Sequence, residues 1–108
     1  VQGQKDILER LSTGWISFRD WDGKLYSYFT HLISYRCAIA AVHYSIDSDQ
    51  PDTAFETGEC DPDNPHAVPQ SGPGSKIFVI LPKKSKFVSV QLIYADGTKS
   101  GVKRFDVP

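Results

Sequence analysis

The clearest pattern of hydrophobic and polar positions lies near the end of the chain, between residues 87 and 107. Four alternate apolar residues share one face of this stretch: Val88, Val90, Leu92 and Tyr94. A period of two is typical of a strand with one buried face. Asp96-Gly97 follows, and this pair favours a tight turn because glycine accepts a positive φ without a steric cost. The sequence therefore predicts a hairpin whose return strand, residues 99–107, is a more polar edge strand.

A second hairpin is predicted near the start of the chain. Residues 15–20 alternate between apolar and polar side chains, and Asp22-Gly23 then gives the same turn signal. Residues 24–31 form the predicted return strand. Tyr26 and Tyr28 are two positions apart, so they share one face of that strand.

The middle of the chain is less regular. Residues 32–46 are rich in β-branched and aromatic side chains, which predicts one long strand with a bend near Ala40-Ala41, although the alanines leave a helix as a competing interpretation. Residues 47–75 are predicted to be mostly loop, with a short edge strand at Thr53–Thr57. Residues 76–81 are apolar on both faces, as is typical of a central strand.

These elements predict the fold class. About seven short strands, polar turns and no sustained helix indicate an all-β protein, an antiparallel two-sheet β-sandwich. The 108 residues are enough for one domain, which we place at residues 14–108. Residues 1–13 are predicted to be a linker or an N-terminal arm with a short helical turn. Because the sequence begins at Val1, we expect a piece of a longer or processed chain.

Two fragments resemble a known class of module. HYSID at 43–47 and VSVQLIYADGTKSGVKRF at 88–105 are similar to the mid-domain strand and closing hairpin of bacterial immunoglobulin-like and fibronectin type III-like modules. No Trp lies between Cys37 and Cys60, so the Cys…Trp…Cys arrangement of antibody domains is missing. The resemblance implies an immunoglobulin-like sandwich in an extracytoplasmic or appendage protein, which binds or spaces rather than catalyses.

Cys37 and Cys60 are the only cysteines. A lone pair fits no common zinc pattern, which needs four ligands at short local spacings. We predict a disulfide that pins the proline-rich acidic loop, while two free thiols or a redox-active thiol remain alternatives. A disulfide would indicate an oxidising setting, so we expect a periplasmic, cell-surface or secreted location.

No constellation of residues predicts catalysis. His31, His43 and His66 are scattered, and no spacing supports a nucleophile with its base, so we predict no catalytic residue and no enzyme. The stretch 60–65, CDPDNP, offers oxygen ligands of the kind that calcium takes. Asx and proline turns explain the same composition, so we predict neither a metal site nor a cofactor.

Charge is unevenly distributed along the chain. Residues 47–63 hold seven acids and no base, and residues 76–104 hold seven bases and one acid, Asp96. A solvated acidic loop and a solvated basic end of the sheet explain this distribution. The alternative interpretation is an electric dipole that steers a partner toward the protein. The net charge of -1 does not favour nucleic acid as a partner. No apolar run approaches the roughly 20 residues of a membrane helix, so we expect no membrane insertion.

Aromatic residues give the main prediction about binding. Trp21, Tyr26 and Tyr28 are predicted to form an exposed platform that stacks on sugars or anchors a protein partner, unless these rings instead cover the core. We therefore predict a non-catalytic interaction or spacer module of a larger bacterial envelope or secreted protein. Its partners would be another protein or other domains of the parent chain. The alternative prediction is a carbohydrate-binding module.

Overall fold

The computed structural model describes residues 2–64, 67–69, 72 and 75–108, and these residues form a seven-stranded antiparallel sandwich. The strands are β1 (Ser17–Trp21), β2 (Lys24–Tyr28), β3 (Ile39–Ile46), β4 (Thr53–Phe55), β5 (Phe78–Leu81), β6 (Phe87–Tyr94) and β7 (Lys103–Asp106). The helices are α1 (Gln2–Arg10) and α2 (Thr30–Ser34), with 3-10 turns at Ser12–Gly14 and Arg36–Ala38. The predicted all-β, two-sheet fold is confirmed.

The two sheets have the orders β1-β2-β5 and β4-β3-β6-β7, with every pairing antiparallel. The core lies between them. The β6 residues predicted to face inward, Val88, Val90, Leu92 and Tyr94, are each no more than 1% exposed. Leu25 and Leu81 belong to the same core cluster from the three-stranded sheet. The predicted inner face of the last hairpin is therefore confirmed.

Helix α1 packs on the sandwich. Leu8 is fully buried in the core cluster, and its carbonyl accepts a hydrogen bond from the indole Nε1 of Trp15 at 2.9 Å. The Trp15 ring is also fully buried and lies 6.3 Å from the ring of Phe105. The division of the chain into a linker or arm at residues 1–13 and a domain at residues 14–108 remains a prediction.

The prediction of one strand over residues 32–46 is wrong in its first half. Residues 30–38 form α2 and a 3-10 turn, and β3 begins only at Ile39. Leu32 and Ile33 are both fully buried. Neighbouring residues of a strand point to opposite faces, so a helical turn is the better way to bury both where the chain crosses between sheets. The predicted bend is confirmed, because the β3–β6 register shifts between Ile39 and Ala41.

Strand β5 lies at a sheet edge, which corrects the prediction of a central strand. Among the described strands it pairs with β2 alone, and its Ile80 is 48% exposed. Its apolar side chains cover two different surfaces, the core on one face and the outside of the three-stranded sheet on the other. The predicted edge strand at 53–57 is confirmed in shorter form as β4.

Candidate binding surface

The turn between β1 and β2 fixes which side chains face outward. Asp22 and Gly23 both have positive φ, 52° and 73°, as a two-residue hairpin turn requires. The register then places Trp21 opposite Lys24 and Arg19 opposite Tyr26. Residues directly opposite each other lie on the same face of a sheet. The predicted site residues Trp21, Tyr26 and Tyr28 are thus brought together on the outer face.

Strand β5 extends this surface with two residues that the sequence alone did not reveal. Phe78 lies opposite Tyr28, and Ile80 lies opposite Tyr26. The ring of Phe78 is edge-on to Tyr26, with 5.1 Å between centroids, and 6.1 Å from Tyr28. Tyr26 is in turn 6.2 Å from Tyr28 and 6.5 Å from Trp21. We call these five side chains, Trp21, Tyr26, Tyr28, Phe78 and Ile80, the aromatic face.

The aromatic face is open to solvent at its ends. Trp21 is 54% exposed, and the rings of Tyr26, Tyr28 and Phe78 are half-buried against one another. A continuous apolar surface on the outside of a sheet is more informative than a single exposed hydrophobic residue. Trp15, the other tryptophan of the chain, lies in the core and is not part of this face.

Three cations surround the aromatic face. The guanidinium of Arg19 lies 5.4 Å from the centroid of the Trp21 ring, and Nζ of Lys76 lies 5.9 Å from that of Phe78. Lys24 is exposed opposite Trp21. The outward positions of β1, β2 and β5 carry no acid; Asp20 alternates with them and pairs with Lys83 at 2.8 Å. The surface is therefore positive as well as apolar.

The long loop is held by a disulfide and by a buried arginine. Cys37 and Cys60 are bonded, as predicted, with 4.6 Å between their Cα atoms, although Cys37 lies in a 3-10 turn rather than in a strand. Arg36 is only 5% exposed. Its Nε donates to the Glu59 carbonyl and its Nη1 to the Ala67 carbonyl, each at 2.6 Å. Sequence reasoning missed Arg36, whose only signal is its place next to a bonded cysteine.

The acidic stretch at 60–65 and the histidines lie in different parts of the fold. The Asp61 carboxylate accepts the N–H of Asp63 at 3.1 Å, which is an Asx turn. Among the described residues, no three His, Cys, Asp or Glu side chains come together as metal ligands. His31 lies in α2 and His43 in β3, while His66 lies outside the described residues.

Within the described part of the chain, burial shifts the pKa of His31, Tyr44 and Tyr94. It lowers the pKa of His31, because an imidazolium is poorly solvated there. Burial raises the pKa of Tyr44. Burial also raises the pKa of Tyr94, and a hydrogen bond to Glu9 adds to that rise. These three side chains belong to three different elements, α2, β3 and β6.

Comparison of the chain with protein-family models, with curated proteins and with solved structures gave no match. Within the described part of the chain, no helix has both the length and the apolar character to cross a membrane.

Proposed function

We propose that this chain is a non-catalytic interaction module of a larger envelope or secreted bacterial protein, and that the aromatic face is its contact surface. The observation that carries the proposal is the set of open rings on three adjacent strands, with Trp21 54% exposed. Rings held by a sheet offer a large contact area and lose little conformational entropy on binding. The partner would be another protein or a neighbouring domain of the parent chain.

The immunoglobulin-like or fibronectin type III-like character of the module belongs to this proposal. If the seven strands are lettered A, B, C, C′, E, F and G, the two sheets read A-B-E and C′-C-F-G. This division resembles the way immunoglobulin-type sandwiches separate their strands, with C′ beside C in the sheet that holds F and G. The strand order therefore supports the proposed class.

An extracytoplasmic location also belongs to the proposal. The Cys37–Cys60 disulfide supports it, because such bonds persist in oxidising compartments and are rare in reducing ones.

The proposal is tested by separating binding from stability. The 108-residue chain and its Trp21→Ala and Tyr28→Ala variants are screened on arrays of peptides and glycans, with thermal unfolding measured in parallel. The control is Val102→Ala, an exposed apolar residue away from the face. Both face variants should lose at least about tenfold in affinity, as residues at an interface centre do. The proposed surface would be refuted if neither Trp21→Ala nor Tyr28→Ala changed the affinity, or if Tyr28→Ala unfolded the domain.

Carbohydrate binding is the second candidate function. It is favoured by the nearly parallel rings of Tyr26 and Tyr28, whose planes differ by 27°, next to an exposed indole. Sugar titrations followed by Trp fluorescence distinguish it from protein binding, because Trp21 is exposed whereas Trp15 is buried. A pure spacer would bind neither class and would tolerate Trp21→Ala.

A further inference from the structure

We infer that the ligand of the aromatic face is an anionic polysaccharide, with sugar rings stacked on the aromatic side chains and carboxylates paired with the surrounding cations. This inference rests on the proposed contact surface and on its second candidate function, carbohydrate binding, and adds the charge of the ligand. It is carried by the arrangement of rings and cations together, since neither alone specifies such a polymer.

The rings form a strip rather than a pocket. From Trp21 to Tyr26 and on to Phe78, successive centroids are 6.5 and 5.1 Å apart, and the strip crosses three strands. Small ligands are usually enclosed in concave sites. A strip of rings along the outside of a sheet instead suits an extended chain with repeated apolar faces. The C–H side of a sugar ring offers such a face, and it matches the negative face of an aromatic ring.

The cations stand at both ends of this strip. Arg19 and Lys24 lie at the Trp21 end, and Lys76 lies at the Phe78 end. Ammonium and guanidinium groups form strong hydrogen bonds to carboxylates. The bordering acids are Asp22 in the hairpin turn and Glu56, which lines a cleft together with Lys76. A polymer that carries a charge on each sugar can reach both ends while its rings cover the middle.

Other occupants fit the charges and geometry less well. Two copies meeting face to face would bring the three cations of each copy together, and like charges across an interface disfavour association. Single-stranded nucleic acid also stacks on aromatic rings. The disulfide indicates an oxidising compartment, so a secreted or surface polysaccharide is the better match.

The test uses polymers that differ in one property at a time. Polygalacturonate, alginate and hyaluronan supply sugar rings with carboxylates, and methyl-esterified polygalacturonate supplies the same rings without charge. Polyglutamate supplies carboxylates without sugar rings, and oligothymidylate represents nucleic acid. At least one carboxylated polysaccharide should bind about tenfold more tightly than the ester, polyglutamate and oligothymidylate, with an affinity that falls as salt is added.

Matched variants locate the binding site. Trp21→Ala should weaken polysaccharide binding at least about tenfold. Lys76→Gln should weaken it about threefold or more, whereas Lys84→Gln, an exposed lysine of the β5–β6 connection, should leave it unchanged. Thermal unfolding of each variant confirms that the fold is intact.

The remaining outcomes overturn the inference in distinguishable ways. Equal binding of the ester, still weakened by Trp21→Ala, would refute the charge requirement and leave the proposed contact surface standing. Equal or tighter binding of polyglutamate or oligothymidylate would assign another ligand class. Failure of all three carboxylated polysaccharides to bind would refute the inference without bearing on the aromatic face. Binding insensitive to Trp21→Ala would refute both the inference and the proposed surface.

Discussion

The hairpins β1–β2 and β6–β7 both turn at an Asp-Gly pair, yet the two turns are built differently. In the first, Asp22 and Gly23 alone form the loop, and both have positive φ. In the second, only Gly97 has positive φ, and the Tyr94 N–H donates to the Thr98 carbonyl at 2.8 Å across a three-residue loop. The Asp96 carboxylate accepts the N–H of Thr98 at 2.9 Å and closes that loop. The same dipeptide therefore supports two loop lengths.

The second hairpin also contains a shift in register that the first lacks. Ile93 bridges Lys99, but Val90 pairs with Lys103, so the return strand holds one extra residue. Buried Ser100 occupies the irregular segment, where its hydroxyl accepts the Leu92 N–H at 2.9 Å. A side chain thus replaces a backbone acceptor, and the strand can bend without leaving a buried donor unpaired.

The two hairpins also differ in which face carries their large side chains. The second places Val88, Val90, Leu92 and Tyr94 in the core. The first turns Trp21, Tyr26 and Tyr28 outward and directs Leu25 and Ser27 inward. The comparison teaches that an alternating pattern identifies two faces, and that it does not say which one is covered where both faces carry large apolar or aromatic side chains. We expect the second hairpin to support stability and the first to support binding.

The largest expected effect is on stability in the second hairpin. Leu92→Ala removes a fully buried side chain, so it should cost about 2–5 kcal/mol of unfolding free energy. Ile80→Ala, on the sheet of the first hairpin, should cost only about 0.5 kcal/mol or less. Urea denaturation measures both. A Leu92→Ala loss below about 0.5 kcal/mol would mean that the faces of β6 are reversed.

The register shift should be sensitive to a single hydroxyl. Ser100→Ala leaves the Leu92 N–H buried without its acceptor, which should cost about 1–3 kcal/mol. The amide of Leu92 should then exchange its hydrogen faster. Ser17→Ala, at an exposed position in β1, is the control and should be nearly neutral. If Ser100→Ala and Ser17→Ala lowered the unfolding free energy equally, the Ser100 hydroxyl would not support the register shift that distinguishes the two hairpins.

The two turn glycines should respond alike despite the different loops. Gly23 and Gly97 have φ of 73° and 88°, and a Cβ at either position would meet no atom within 4 Å. Substitution by Ala should therefore cost about 1–2 kcal/mol at each position, all of it from backbone strain. Gly101→Ala has the same free space without a positive φ and should cost much less. Thermal unfolding of the three variants provides the comparison.

The smallest expected change in stability is at the aromatic face. Trp21→Ala should alter the unfolding free energy by no more than about 0.5 kcal/mol, because the side chain is mostly exposed. A loss above about 2 kcal/mol, the size expected from the core, would place Trp21 among the structural residues and end the contrast between the hairpins.

Features that depend on neighbouring residues along the chain could be predicted from the sequence. The alternation of Val88, Val90 and Leu92 specified a strand and its buried face, and the Asp-Gly pairs specified where two hairpins turn. The isolated cysteine pair indicated the disulfide. These signals are short-range: a side chain's direction in a strand and a glycine's access to positive φ need little beyond the local backbone.

The tertiary structure alone decided which distant segments become neighbours. Phe78 completes the aromatic face only because β5 pairs with β2, about 50 positions earlier, and nothing in the local pattern of residues 76–81 specifies that partner. Likewise, Arg36 is buried because loop carbonyls from Glu59 and Ala67 surround it. The crossover at residues 30–38 is helical, which lets both Leu32 and Ile33 be buried where the chain passes from one sheet to the other. Strand neighbours and loop anchors follow from how the whole chain covers its apolar surface, and a local pattern does not contain that information.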